Sequence, residues 1–192
     1  MLGSSVMGRD LGWHATGDTP VSWAYFLGGD MLAEFSWSPE DREVRAEVGT
    51  GVWSLPFRGL FLLQAGVYEA SSEQPHLLFA GSLRRGLARH RKGLGFTLYT
   101  GLESGIGPWV GIDDEQGNGV LRARGRVGGG KIGLSVTVTP DSRYTAAVGP
   151  LLLLLGGLQV LRHKNRWLTL TTLLASEAAV QREIDHLWES SD

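Results

Sequence analysis

Cysteine is absent from this chain of 192 residues, which excludes disulfide bonds, zinc–thiolate sites and thiol nucleophiles. An excess of charge is absent as well, because 18 basic residues stand against 20 acidic residues and the formal net charge is −2. A nucleic acid partner is therefore not expected, and an anionic partner would need a local basic patch. The lack of cysteine suits a reducing cytoplasm. We expect the protein there, peripheral to the membrane if such a patch binds lipid.

A signal peptide is not expected at the start of the chain, because residues 1–20 contain no apolar run of about seven residues after a basic start. We predict a loose lead-in over residues 1–20 and a single domain over residues 21–192. The hydrophobic fraction of 42%, with 7 Trp and 6 Phe, can fill one sizeable core.

Glycine is abundant, with 28 residues at about twice the ~7% average. The glycines follow no three-residue period and form no Gly/Ser tract, which excludes collagen-like and linker structures. Over residues 21–138, short apolar segments alternate with turn residues at a spacing of roughly 8 to 12, which is typical of a β-sandwich or β-barrel. The predicted strands cover residues 23–27, 32–37, 44–48, 51–55, 60–65, 66–70, 76–82, 95–100, 109–113, 120–126 and 131–139.

A segment without charge, residues 146–161, follows two candidate N-cap residues, Asp141 and Ser142. As a helix it would be about 24 Å long, shorter than the ~30 Å hydrocarbon core, and Pro150 weakens it further as a transmembrane span. A helix that is apolar on all sides and lies outside lipid must be enclosed by protein. We therefore predict a central helix over about residues 142–161 and no transmembrane span. The alternative is that this helix packs on the outside.

Beyond the central helix, the pattern predicts a last strand over residues 167–173 and a final amphipathic helix over about residues 176–188. In that final helix, apolar residues recur at helical spacing on an otherwise charged segment. Docking on the exterior of the β-structure is the expected role, and dimerisation is the alternative.

Two loop motifs resemble ligand sites and are better interpreted as turns. The segment from Gly125 to Lys131 has the glycine spacing of a phosphate loop, but Ile132 replaces the Ser/Thr and a strand follows where a helix is required. A β-hairpin turn is predicted here instead. The carboxylates of Asp113–Glu115 lack the spacing of a calcium loop, so we interpret them as a solvated turn.

Catalytic and metal-binding patterns are missing elsewhere in the sequence. The five histidines are scattered, at His14, His76, His90, His163 and His186, without the spacing that places two metal ligands on one face. No nucleophile elbow or triad context is found. We therefore expect no metal, no cofactor and no catalytic residues, and an enzyme is the less favoured class. A desolvated cluster of ionisable groups in the structure would revive it.

Two basic segments are the candidate anion-binding residues. The first, within residues 84–92, contributes Arg84, Arg85, Arg89, Arg91 and Lys92. The second contributes Arg122, Arg124 and Arg126, which strand pleating places on one face. The planar fork of arginine suits phosphate and carboxylate, so adjacent segments would form an anion-binding surface. The alternative is a solvated loop and a strand face that pairs with local acids.

The order of elements, with many short strands before one apolar helix, is carried by residues 51–59, 109–139 and 140–157. In this order the chain resembles the tubby-like proteins, which include tubby C-terminal domains, phospholipid scramblases and LURP-one-related proteins. The resemblance covers about residues 30–165. It implies a mainly β fold, a closed antiparallel β-barrel of about 12 strands around a central hydrophobic helix. It also implies phosphoinositide binding or membrane association, although no lipid-contacting residue of the family can be matched here.

The chain departs from the tubby-like pattern in two ways. About 25 residues follow Arg166, whereas the family's helix usually lies near the chain end. No segment resembles the calcium-binding segment of scramblases, so lipid scrambling is not expected.

A noncatalytic binding or scaffold protein is the function that we predict from these features. Its arginine-rich segments would recognise an anionic phospholipid headgroup or a protein partner. The alternative is a lipocalin-like barrel that carries a small apolar ligand. The two differ in their interiors, because a helix packed outside would leave a pocket of several hundred Å³ inside the barrel. The sequence does not indicate the oligomeric state.

Overall fold

Antiparallel β-strands form most of the computed structural model, which describes residues 2–16, 22–59, 63–82, 85–103, 107–128, 131–164 and 182. Within these ranges twelve strands close into one barrel. The strands are β1 (Asp10–Thr16), β2 (Ser22–Leu27), β3 (Asp30–Ser38), β4 (Glu43–Val48), β5 (Gly51–Arg58), β6 (Leu63–Glu69), β7 (Leu77–Gly81), β8 (Arg85–His90), β9 (Gly95–Glu103), β10 (Gly107–Asp114), β11 (Gly119–Gly128) and β12 (Lys131–Val138). Helix α1 (Leu2–Val6) precedes them, and helix α2 (Thr145–Lys164) follows a short 3₁₀ turn, Ser142–Tyr144.

Each strand pairs with its neighbours in the sequence, and β1 pairs with β12 to close the barrel, with Leu11 opposite Val136. Closure leaves none of these twelve strands with an edge exposed for pairing with another chain. Alternate residues point inward, as Leu11 and Trp13 of β1 and Ala33 and Phe35 of β3 do. The predicted mainly β barrel of about 12 strands is confirmed.

Helix α2 runs through the inside of the barrel, as predicted. Asp141 caps its preceding turn by accepting the backbone N–H of Arg143 at 2.9 Å. All residues from 147 to 161 are buried, because the helix is apolar on every side and the barrel surrounds it. By length and composition the segment Ser142–Leu161 could cross a membrane, but 89% of it is buried inside the protein. The alternative in which this helix packs outside is therefore wrong.

The glycine pair in α2 has a packing role. A Cβ on Gly156 would lie 2.5 Å from Cζ of Phe35, and a Cβ on Gly157 would lie 2.8 Å from Cδ2 of Leu55. Both distances are below van der Waals contact, so the glycines let the helix approach the barrel wall closely.

The structure differs from the sequence prediction at two strands. Residues 10–16 form β1 within the expected loose lead-in, because Leu11 and Trp13 alternate inward and fill the core. Residues 85–90 form β8 within the basic segment, where outward arginines hide an inward row of Gly86, Ala88 and His90. The strands predicted separately at 60–65 and 66–70 correspond to the single strand β6. The last strand at 167–173 and, apart from residue 182, the helix at 176–188 lie outside the described residues.

Both predicted turns join paired strands, but the first is not the solvated turn expected at Asp113–Glu115, because Asp114 is buried and Asp113 pairs with Arg122. Strands β10 and β11, which contain the strands predicted at 109–113 and 120–126, form an antiparallel hairpin with Gly117 at φ 81° in its turn. Strands β11 and β12 also pair as a hairpin across the segment that resembles a phosphate loop, with Gly128 opposite Lys131.

The strands alternate in direction, so the turns after β2, β4, β6, β8 and β10 lie at the end of the barrel where β12 ends and α2 begins. We call this the upper end. It brings together side chains from turns that are far apart in the sequence.

Candidate anion-binding site

The two predicted basic segments lie on the same wall of the barrel. Strand pairing places Arg85 of β8 opposite Tyr99 of β9, Tyr99 opposite Gly111 of β10, and Gly111 opposite Arg122 of β11. These four residues therefore form one row across neighbouring strands on the outer face. At about 4.8 Å between strands, the two arginine backbones are roughly 14 Å apart. We call the outer face of β8–β11, with Arg85, Arg89, Arg122 and Arg124, the basic wall.

Arg122 is tied to a neighbouring acid. Its Nη1 lies 2.6 Å from Oδ1 of Asp113, and its guanidinium lies 5.5 Å from the centre of the Tyr99 ring. Tyr99 in turn donates its hydroxyl to Oδ2 of Asp113 at 2.5 Å. Gly111 makes this cluster feasible, because a Cβ there would lie 2.7 Å from Cζ of Tyr99. For Arg122 the structure therefore matches the alternative given in the sequence analysis, in which the arginines of this strand pair with local acids.

The other predicted residues divide between the wall and the upper end. Arg85 and Arg89 point outward and are exposed on β8, and Arg124 is exposed on β11. Arg126 extends β11 opposite Gly133. Arg84 lies outside the described residues.

Arg91 and Lys92 lie in the turn after β8, where they border a pocket of about 420 Å³. We call it the mouth pocket. Its lining includes Val48, Thr50, Trp53, Glu69, His76, His90, Arg91, Lys92, Thr145, Ala146, Pro150 and Leu153. The turn is held by its backbone, because Arg91 N–H donates to the carbonyl of His76 at 3.1 Å and Lys92 N–H donates to Nδ1 of His90 at 3.3 Å.

Two histidines that are scattered in the sequence meet in this pocket. Leu77 of β7 lies opposite His90 of β8, which brings His76 beside the same turn. Trp53 packs edge-on against the His76 ring, with 4.9 Å between ring centres. Nε2 of His76 lies 3.6 Å from Oε2 of Glu69. The sequence did not predict this contact, because histidine spacing was considered within one helix or strand, whereas the pairing of β7 with β8 joins two separate segments. The signal available in the sequence was the predicted strand at 76–82, which precedes the basic segment.

Burial and neighbouring cations keep both imidazoles neutral at neutral pH. Burial, followed by the charge of Arg91, lowers the pKa of His76, although Glu69 opposes the shift. Burial, with Arg91, His76 and Lys92, lowers the pKa of His90 to about 4. Neutral imidazole N–H groups beside two cations can bind an oxyanion. The described residues contain no group of three or more His, Asp or Glu that could hold a metal ion.

The opposite side of the barrel is acidic. The outer face of β3 and β4 carries Glu34, Glu43 and Glu47, with Arg45 among them, and we call it the acidic wall. Glu34 and Glu47 are directly paired across the strands, an arrangement that like charges disfavour. In the closed strand order β9 and β10 lie six positions from β3 and β4, half-way around the barrel. The four arginines of the basic wall therefore lie across the barrel from the three glutamates of the acidic wall, with Asp113 on the first and Arg45 on the second each offsetting one charge.

Comparison of the chain with protein-family models, with curated proteins and with solved structures found no match.

Proposed function

We propose that this protein is a noncatalytic binding protein of tubby-like architecture that attaches to anionic phospholipid headgroups through the basic wall. The observation that carries this proposal is the placement of two basic segments, distant in sequence, on one wall opposite the acidic wall. A cytoplasmic protein at the membrane periphery fits this role. The central apolar helix supports the tubby-like assignment because it is what that resemblance implies.

The charge separation gives the barrel a preferred orientation at a negative surface. Each Lys or Arg close to an anionic membrane contributes about 1 kcal/mol of attraction, and this attraction is screened by salt. Arg85, Arg89 and Arg124 lie on the wall, and Arg91 and Lys92 extend the positive charge to the upper end. The acidic wall is then directed away from the membrane.

The lipocalin-like alternative has less support from the geometry. It places the apolar helix outside an open barrel, whereas α2 occupies the interior and packs closely against Phe35 of β3 and Leu55 of β5. An apolar ligand would have to displace that helix.

Vesicle flotation tests the proposal. Phosphatidylcholine vesicles with phosphoinositide should carry the protein upward, and phosphatidylcholine vesicles alone should not. Arg89→Glu combined with Arg124→Glu should abolish flotation. The matched control, Arg45→Glu with Arg58→Glu, makes the same change in net charge away from the basic wall and should still float. Equal and negligible flotation with both vesicle types would overturn the lipid role and favour a protein partner.

A further inference from the structure

The mouth pocket has the size and the mixed lining of a small-molecule site. Its volume of about 420 Å³ falls within the ~300–1,000 Å³ common for such sites. Trp53, Pro150 and Leu153 provide an apolar side, while His90, Arg91 and Lys92 provide a polar one. The first turns of α2 close its base. The pocket faces the upper end of the barrel, so it is distinct from the outer face that forms the basic wall.

His90 supplies the strongest indication of a ligand. Its residue is only 2% exposed, and its Nδ1 accepts the N–H of Lys92. In the neutral imidazole the proton then resides on Nε2, which is a donor. Among the residues that the structure describes, none accepts a hydrogen bond from this Nε2. This Nε2 is not one of the buried polar atoms that lack a partner, so it is open to the pocket, where a ligand oxygen can accept its hydrogen.

Two cations border the same part of the pocket. Arg91 and Lys92 are exposed residues of the pocket lining, and neither has an ion-pair partner within the described ranges. Glu69 is also in the lining, but it lies beside His76. The positive charge is therefore available to a ligand near His90, and the ring of Trp53 offers a flat apolar surface beside it.

We propose that the mouth pocket binds a small organic oxyanion, a phosphate or carboxylate carried on a planar ring. The oxyanion accepts Nε2–H of His90 and lies between Arg91 and Lys92. The ring packs on Trp53 and against Leu153. This site does not depend on the proposed attachment to membranes.

Calorimetric titration with phenyl phosphate tests the proposal on the full chain. The wild type should bind it more tightly than inorganic phosphate. Ala146→Leu should abolish binding, because Ala146 is an exposed helix residue in the lining and leucine fills the pocket without disfavouring the helix. Arg91→Gln and Lys92→Gln should each weaken binding about tenfold, and Arg124→Gln on the basic wall should leave it unchanged.

Other results would overturn the proposal. Unchanged binding by Ala146→Leu would show that phenyl phosphate binds elsewhere. Equal affinity for phenyl phosphate and inorganic phosphate would show that the site does not recognise a ring. Failure to bind either phenyl phosphate or benzoate would reject the site. Nuclear magnetic resonance of the histidines gives a second readout, because the bound anion should raise the pKa of His90, which burial, followed by the charges of Arg91, His76 and Lys92, holds down.

The vesicle assay separates this site from the basic wall. Ala146→Leu should float with phosphoinositide vesicles as the wild type does, and Arg89→Glu with Arg124→Glu should still bind phenyl phosphate. Loss of flotation in Ala146→Leu would mean that the oxyanion belongs to a lipid headgroup that enters the pocket, which would overturn a separate small-molecule ligand. Failure of flotation alone would leave the pocket standing.

Discussion

The interior of the barrel and its outer walls tolerate change very differently. In the interior, α2 is apolar on all sides and buried from residue 147 to 161, so each position is set by packing. On the walls, Arg124 and Glu47 are exposed. Strand pairing determines which charged side chains lie beside them, and packing constrains them little. Stability therefore depends mainly on residues of the interior, whereas the proposed recognition depends on surface residues whose substitution changes stability little.

The largest effect is expected from a charge in the interior. Leu154→Asp should unfold the protein or make it insoluble, because an unpaired buried carboxylate costs several kcal/mol against a typical total of ~5–15 kcal/mol. The measurement is thermal unfolding by circular dichroism. Met31→Asp is the control, since Met31 is 54% exposed and its substitution should change little. A near-normal melting temperature for Leu154→Asp would remove α2 from the core.

A smaller but clear effect is expected at the closest approach of helix and wall. Gly156→Ala should lower the free energy of unfolding by about 1–3 kcal/mol through a clash with Phe35, although alanine favours a helix by about 1 kcal/mol over glycine. Denaturant unfolding measures the change. In combination with Phe35→Leu the loss should be less than additive. Stabilisation by Gly156→Ala alone would show that the helix does not need this contact.

The hydrogen bond between Asp114 at the end of β10 and Tyr144 before α2 predicts that the stability of the protein depends on pH. Asp114, at 7% exposure in the β10–β11 turn, accepts the hydroxyl of Tyr144 and the side-chain amide of Asn118. These bonds lower its pKa to about 2. Because the folded pKa is below the ordinary value of about 4, the stabilisation is present above about pH 4 and is lost as pH falls towards 2.

Tyr144→Phe isolates this contribution. The variant should have a melting temperature several degrees lower at neutral pH and a smaller further fall towards pH 2 than the wild type. Asp114→Asn should abolish the same part of the acid dependence. An identical acid profile for wild type and Tyr144→Phe would contradict the assignment, and would leave the acid sensitivity to other pairs such as Asp141 with Arg143.

The smallest effect is expected on the basic wall, where the two arginines of β11 should behave differently. Arg122→Gln should lower the free energy of unfolding by no more than about 1 kcal/mol, since its pair with Asp113 is partly exposed, and Arg124→Gln should lower it less. Vesicle binding should show the reverse order, because Arg122 is matched by Asp113, whereas no acid in the described part of the chain pairs with Arg124. Equal effects on flotation would show that the Asp113 pair does not restrain Arg122.

Local patterns predicted ten of the strands and the central helix, because inward and outward residues alternate along a strand and residues 146–161 of α2 carry no charge. Strand β8 was missed because its outward arginines dominate the composition of residues 85–90 while its inward residues are small or polar. Strand β1 was missed because Leu11 and Trp13 are its only large inward residues and it follows an unpatterned start. The sequence identified the candidate arginines, but it could not show which of them lie on the basic wall and which border the mouth pocket.

The sequence by itself determined that this protein is a β-rich fold with a buried apolar helix, since period and hydrophobicity are properties of neighbouring residues. Only the tertiary structure decided that Arg85 and Arg122 share a row, that Asp113 matches Arg122, and that His76 and His90 meet beside α2. The physical reason is strand register and barrel closure, which depend on pairing between distant segments and so determine which side chains share a face.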